Sequence, residues 1–146
     1  MILLDANVLV YAHRSDTHDH ERFKHWLDEL LRSRATFGLS DVVLTAVIRI
    51  VTHPRIYRVP TPLPGAFEFV NRLRDASACT VVSPGILHWQ IFSRLCQQGG
   101  ARGNLITDAY LAALAIEAGA EWITTDRDFA RFPGLRWRHP LDAAAR

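Results

Sequence analysis

Short apolar bursts alternate with longer amphipathic stretches along this chain. Ile2 to Leu4 form an unbroken apolar run, as a strand buried on both faces requires, and Val8 to His13 then read as one or two helical turns. From Thr17 to Arg32, Phe23, Trp26, Leu27, Leu30 and Leu31 recur at helical spacing with charged residues on the other face, and Thr17 stands where an N-cap belongs. Ser40 is placed to cap a third helix, Asp41 to Val51. The segment "THPRIYRVPTPLPG" carries four prolines and is expected to be a loop. Phe67 to Asp75 is again helical in pattern, Thr80 to Val82 is a β-branched strand, and Gly85 to Gln97 is a helix broken off by "QGGARGN". Thr107 to Ala118 predicts an alanine-rich helix stopped by Gly119, with a strand at Trp122 to Thr124 behind it. Strands alternating with helices predict an α/β domain whose parallel sheet is covered by helices.

With 146 residues, of which 49% are hydrophobic, the chain suits one domain with its own core. The 17 basic and 15 acidic side chains nearly cancel, so any nucleic-acid surface has to be local rather than a property of the whole molecule. Two cysteines, Cys79 and Cys96, are too few for a disulfide framework or a thiolate metal site and suit a reducing compartment. No run approaches the roughly 18 apolar residues of a membrane span, and the apolar start lacks the basic leading region of a signal peptide. A cytoplasmic protein without a membrane partner is the expectation.

Asp5 breaks this pattern, because an ionised carboxylate behind a buried strand costs several kcal/mol unless something compensates it. In an open α/β sheet, ligands collect outside the carboxyl ends of the strands, which is where Asp5 and Asp126 fall, with Asp128 two residues on. Asp108 joins from the start of the late helix, and Asn104 shares its face if that helix begins early enough. Each acid also has a purely local role open to it: Asp5 and Asp126 as N-caps, Asp108 as a first-turn charge on the helix dipole. Converging carboxylates about 5 Å apart repel by roughly 3 kcal/mol at an effective dielectric near 20, and a hard divalent cation, Mg²⁺ or Mn²⁺, removes that penalty. Phosphodiester hydrolysis is the chemistry such a cation serves best.

"LLDANVLVYA", "VIRIVTHPRI" and "GNLITDAYLAALAIEAGAEWITTDRDFARFPGLRW" together resemble the PIN-domain family, and within it the VapC ribonuclease toxins of bacterial toxin–antitoxin pairs. The resemblance spans nearly the whole chain. It implies a single PIN domain over residues 1–146, with a core at 2–137 and a C-terminal tail at 138–146, built as a Rossmann-like parallel sheet flanked by helices on both faces. It further implies a Mg²⁺- or Mn²⁺-dependent endoribonuclease cutting RNA, in tRNA or rRNA, neutralised by a VapB-type antitoxin and assembled as a homodimer. Asp5, Asp108 and Asp126 match the family's acidic, metal-holding positions, and Asp128 an accessory acid of some members. Asn7 matches a polar position near the site, and Thr124 or Thr125 a hydroxyl position.

One departure matters. Many members carry a glutamate early in the third helix, where this chain has Ala46 or a neighbour, and Asp41 is the single acid of that segment. A site short of one carboxylate holds its cation less tightly. The alternative to an active enzyme is therefore a weakly active or inactive PIN-like module that binds RNA or a protein partner. For substrate phosphates, Arg14, Arg49, Arg55, Arg58 and Arg102 are available, Arg49 foremost because a lone charge inside "AVIRIV" needs a partner. His18, His20 and His25 do not share a helix face and read as an exposed helix start rather than a zinc site. Trp26 and Trp89 are either core residues or anchors of an antitoxin groove.

Overall fold

Three short apolar segments become neighbours in one sheet because each is too hydrophobic to remain on a surface. A computed structural model describes residues 1–143. Its strands are β1 (Ile2–Leu4), β2 (Phe37–Leu39), β3 (Cys79–Val81), β4 (Glu121–Ile123) and β5 (Trp137–Arg138), all parallel, in the order β3-β2-β1-β4-β5. The helices are α1 (Ala6–His13), α2 (His20–Ser33), α3 (Asp41–Val51), α4 (Leu63–Arg74), α5 (His88–Gly99) and α6 (Asn104–Glu117). Leu3, Leu4, Phe37, Leu39, Trp122 and Ile123 from the three central strands are all within 1% of complete burial.

The chain steps outward from β1 to β2 to β3, then returns to β4 on the other side of β1. Right-handed crossovers therefore put the helices of the two halves on opposite faces of the sheet. α1 packs on α2 and α3, and α3 on α4, while α5 and α6 pair with each other. The reversal of strand order between β1 and β4 opens a crevice at their carboxyl ends, the place where α/β sheets bind ligands. Asp5 follows β1 and Thr124 follows β4, so both acidic loops open into it.

Several elements differ from their sequence expectation for identifiable reasons. β2 is "FGL", whose central glycine interrupts the apolar signal; a Cβ on Gly38 would stand 2.6 Å from Leu3 Cδ2, so the close approach of β1 requires glycine. β5 has only two residues and carries an arginine. α4 begins at Leu63 within the proline segment, because proline is tolerated in the first turn, where its missing N–H has no partner to lose. Thr17 does not cap α2: its hydroxyl donates back to the carbonyls of Arg14 at 2.7 Å and Tyr11 at 3.3 Å, and Asp19 takes the N-cap position in a left-handed conformation, φ 57°. The C-terminal tail expected over 138–146 runs beyond the described residues from 144 on. Among the described residues no helix is long and apolar enough to cross a membrane.

Candidate active site

Asp5 is held where β1 turns into α1, in extended backbone, with its Oδ1 accepting from the Ala6 amide at 2.7 Å. The capping role and a site role thus coexist in one side chain. The other oxygen, Oδ2, accepts from the Thr124 hydroxyl at 2.6 Å and more weakly from the Asn7 amide at 3.4 Å. Asp5 is 7% exposed and Thr124 is fully buried. Thr124 Oγ1 accepts in turn from Asn7 Nδ2 at 3.3 Å and from the Asp126 backbone N–H at 3.0 Å. Asn7 Oδ1 accepts from the Thr125 amide at 3.3 Å. A single hydroxyl and a single carboxamide therefore tie the end of β1 to the end of β4.

Burial pushes the Asp5 carboxyl up to about 6 from 3.8; the hydrogen bonds from Thr124 and Ala6 pull it down, and the charges of Asp108 and Asp126 raise it again. Asp108 is likewise raised, by burial first and then by Asp126 and Asp128, with Arg131 opposing. Asp5, Asp108 and Asp126, from three distant parts of the sequence, thus lie close enough for the charges of Asp108 and Asp126 to bear on Asp5, while Asp128 bears on Asp108. Asp126 also caps the 3₁₀ turn Arg127–Arg131, accepting from the Asp128 amide at 2.9 Å. α6 begins at Asn104, early enough to set Asn104 and Asp108 on one face. This start also leaves Asp108 past the first turn, so a first-turn charge on the helix dipole is not its role.

Two sequence candidates are not drawn into this cluster. The Asp41 carboxylate pairs on the surface with Arg74 at the end of α4, at 3.0 and 3.4 Å, and is not among the charges that shift Asp5. Arg49 lies on an exposed face of α3 and makes no ion pair among the described residues; the apolar run hid a helix edge, and the charge needs no partner there. Arg14 is committed elsewhere as well. It chelates Asp16 at 2.9 and 2.6 Å, donates to the Val59 carbonyl at 2.9 Å, and lies 4.1 Å over the Tyr57 ring. Sequence reasoning passed over Arg131, the cation that acts on Asp108, although its position three residues after Asp128 was visible.

The donors present suit a hard cation: oxygen ligands and, among the described residues, no thiolate or imidazole beside them and no basic partner for the buried Asp5 carboxylate. Among the described residues no three His, Cys, Asp or Glu side chains are grouped closely enough to hold a metal ion. That is compatible with Mg²⁺, which keeps several waters and takes one or two carboxylates directly. Trp26 lines a groove of about 410 Å³ with Arg22, His25 and Leu141, and Trp89, 70% exposed, lines one of about 620 Å³ with Ile86 and Arg94.

The family model for the PIN domain matches residues 2–135. Ribonuclease VapC43 of Mycobacterium tuberculosis is 45% identical over 142 residues, covering 97% of both chains. The chain belongs to the PIN-domain family, among its VapC ribonucleases. Ribonuclease VapC31 of the same organism is 38% identical over 140 residues, 96% of this chain and 99% of that one. Among solved structures, VapBC2 from Rickettsia felis bound to a promoter DNA fragment superposes with a TM-score of 0.69 at 20% identity, covering 95% of this chain and 98% of that one. VapC20 of M. tuberculosis, described as a sarcin–ricin loop cleaving toxin, superposes with a TM-score of 0.63 at 19% identity, covering 93% and 99%. These likenesses establish a PIN fold for the crevice that carries Asp5, Asp108 and Asp126.

Proposed function

We propose that this PIN domain is a divalent-metal-dependent endoribonuclease of the VapC type, a toxin held in check by a VapB-type antitoxin in the cytoplasm. One observation carries the reading: a buried Asp5 carboxylate under the charges of Asp108 and Asp126, with no basic side chain among the described residues pairing with it. Such an arrangement is costly until a cation arrives. Mg²⁺ or Mn²⁺, when bound, supplies charge neutralisation and Lewis acidity at a scissile phosphate.

Asp5 and Asp108 would be the principal residues holding the cation in this reading, with Asp126 the third carboxylate beside it. Asp128, at the mouth of the crevice, orients water for in-line attack on phosphorus. Thr124 keeps one Asp5 oxygen in place by donating to it at 2.6 Å, and Asn7 braces both loops. Arg102 and Arg131, exposed beside the late acids, face the incoming phosphates. Arg131 also restrains the repulsion around Asp108 before substrate binds.

Purified protein incubated with tRNA and rRNA in Mg²⁺ or Mn²⁺ is expected to produce discrete new ends, and EDTA or Asp108→Asn to abolish them. Scission that survives both treatments refutes the assignment. Because Arg74 occupies Asp41 and the third helix lacks its glutamate, a second reading is a module that binds RNA without cutting it. Its signature is RNA affinity independent of metal and no scission at millimolar Mn²⁺. Co-purification with a VapB-type antitoxin, and a dimer by light scattering, are expected of the intact system.

A further inference from the structure

A cavity of about 330 Å³, lined by Tyr11, His18, Asp19, Phe23, Thr125 and His139, lies beside the acidic cluster and has no part in holding a metal. Its inner wall is Thr125, whose amide donates to Asn7, the residue that in turn touches Asp5 and Thr124. Tyr11 stands one helical turn beyond Asn7 on the same face of α1. Whatever fills this cavity is therefore one residue away from the pair that holds Asp5 in place, Asn7 and Thr124.

The walls are aromatic. Tyr11 and Phe23 stand 5.2 Å apart at 57°, and Phe23 and His139 5.9 Å apart at 60°, with Phe23 buried as the floor and the other two half-buried as flanks. Flat π-faces of this kind accept an unstacked nucleobase. At the rim, Asp19 is held at φ 57°, a left-handed conformation that Asp and Asn tolerate better than most residues. Its carboxylate makes no capping bond; its neighbours are His18 Nε2 at 3.5 Å and Arg22 Nη1 at 3.7 Å, both beyond good hydrogen-bond length. Both nitrogens face Oδ2 at ion-pair distance, and among the described residues neither carboxylate oxygen accepts a short hydrogen bond at the edge of this aromatic-lined cavity.

We propose that this cavity is a base-specificity subsite that takes an unpaired guanine of the RNA, adjacent to the bond that is cut, with Asp19 reading its edge. The proposal rests on the ribonuclease reading above. Guanine presents two adjacent donors, N1–H and the N2 amino group, which match the two oxygens of one carboxylate. Adenine and cytosine set an acceptor beside their one amino group, and uracil flanks one N–H with two carbonyls, so each turns a lone pair toward Asp19. Asp19→Asn keeps the left-handed backbone and replaces one acceptor with a donor, which removes the match to guanine.

The test has two arms. In EDTA, 5′-GMP and 5′-AMP are titrated into wild type, Asp19→Asn and Tyr11→Leu while the ring C–H resonances of His18 and His139 are followed. GMP is expected to move both resonances at lower concentration than AMP, and either substitution to abolish that difference. In Mg²⁺, single-stranded oligonucleotides varied at one position are expected to be cut on the order of tenfold faster with guanine beside the cleaved bond. Asp19→Asn is expected to level that preference. Equal responses to GMP and AMP, or an unaltered guanine preference in Asp19→Asn, overturn the subsite. Movement of the same resonances by N-acetylarginine amide but by neither nucleotide overturns it in favour of a protein side chain. If GMP discriminates but no RNA is cut, the ribonuclease reading fails while base binding stands; if RNA is cut without base discrimination, the subsite alone fails.

Discussion

Replacing Asp5 by Asn should make the metal-free protein more stable while abolishing its activity. The carboxyl stands at about 6 in the fold against 3.8 ordinarily, and each unit corresponds to about 1.4 kcal/mol, so keeping it ionised above pH 6 costs about 3 kcal/mol. Asn still caps α1 by accepting from Ala6, but it loses the weak contact from Asn7, and its amide cannot replace the Thr124 bond because that hydroxyl already accepts from Asn7 and Asp126, together about 2 kcal/mol. A net gain of about 1 kcal/mol remains, on the order of 2 to 4 °C in melting temperature for a chain of this size. The pH dependence follows from the raised carboxyl. The contribution of the Asp5 carboxyl is fully present below 3.8 and is lost as pH rises through about 6, so the advantage of the variant is present at pH 7.5, shrinks as pH falls through 6, and is gone near pH 4. Thermal melts in EDTA at those three values measure it. Millimolar Mg²⁺ should then raise the melting temperature of wild type and leave that of the variant in place. Equal or lower stability of Asp5→Asn at pH 7.5, with a pH profile parallel to wild type, refutes the claim that Asp5 is a strained, uncompensated charge.

Other consequences concern residues around the cluster and residues removed from it. Thr124→Val leaves Asp5 without its shortest hydrogen bond and the Asp126 amide without its acceptor, so a loss of about 2 kcal/mol in urea unfolding and a further rise of the Asp5 titration by NMR are expected. Arg14→Ala releases the proline segment from the end of α1 and should cost about 2 kcal/mol of stability, with kcat/KM for RNA unchanged, because this arginine is bound to Asp16 and Val59 rather than presented to phosphate. His13 is held below its usual value of 6.5 by burial and by the charges of Arg14 and Arg72, so its contribution to stability is present above 6.5 and lost as pH falls. Urea midpoints measured between pH 7.5 and 5.5 should therefore fall less in His13→Gln than in wild type.

Much of the site was legible in the sequence because its chemistry interrupts apolar patterns. Asp5 after Ile2–Leu4 and Asp126 after the β4 strand interrupt apolar runs; both cap the turns that follow and both bear on a shared charge environment with Asp108, a partnership also carried by the family resemblance. What escaped was set by pairings between distant segments. β2 needs glycine to let β1 approach, so its hydrophobic signal is weak where its packing is tightest. Arg74, thirty-three positions away on another helix, decides where Asp41 points, and no local spacing reports that. Arg49 looked buried because its neighbours are apolar, yet on a helix those neighbours lie on other faces. The cavity at Tyr11, Phe23 and His139 joins α1, α2 and the chain after β5, and so has no linear signature.

The central claim is that Asp5, Asp108 and Asp126 share one divalent cation. Manganese anomalous scattering from crystals grown at neutral pH in Mn²⁺ tests it most directly. The account predicts one strong peak in the crevice between the ends of β1 and β4, bonded to Asp5 and Asp108, with Asp126 reached directly or through a coordinated water, and no such peak in Asp108→Asn. Manganese bound elsewhere with the crevice empty, or an undiminished peak in Asp108→Asn, contradicts it.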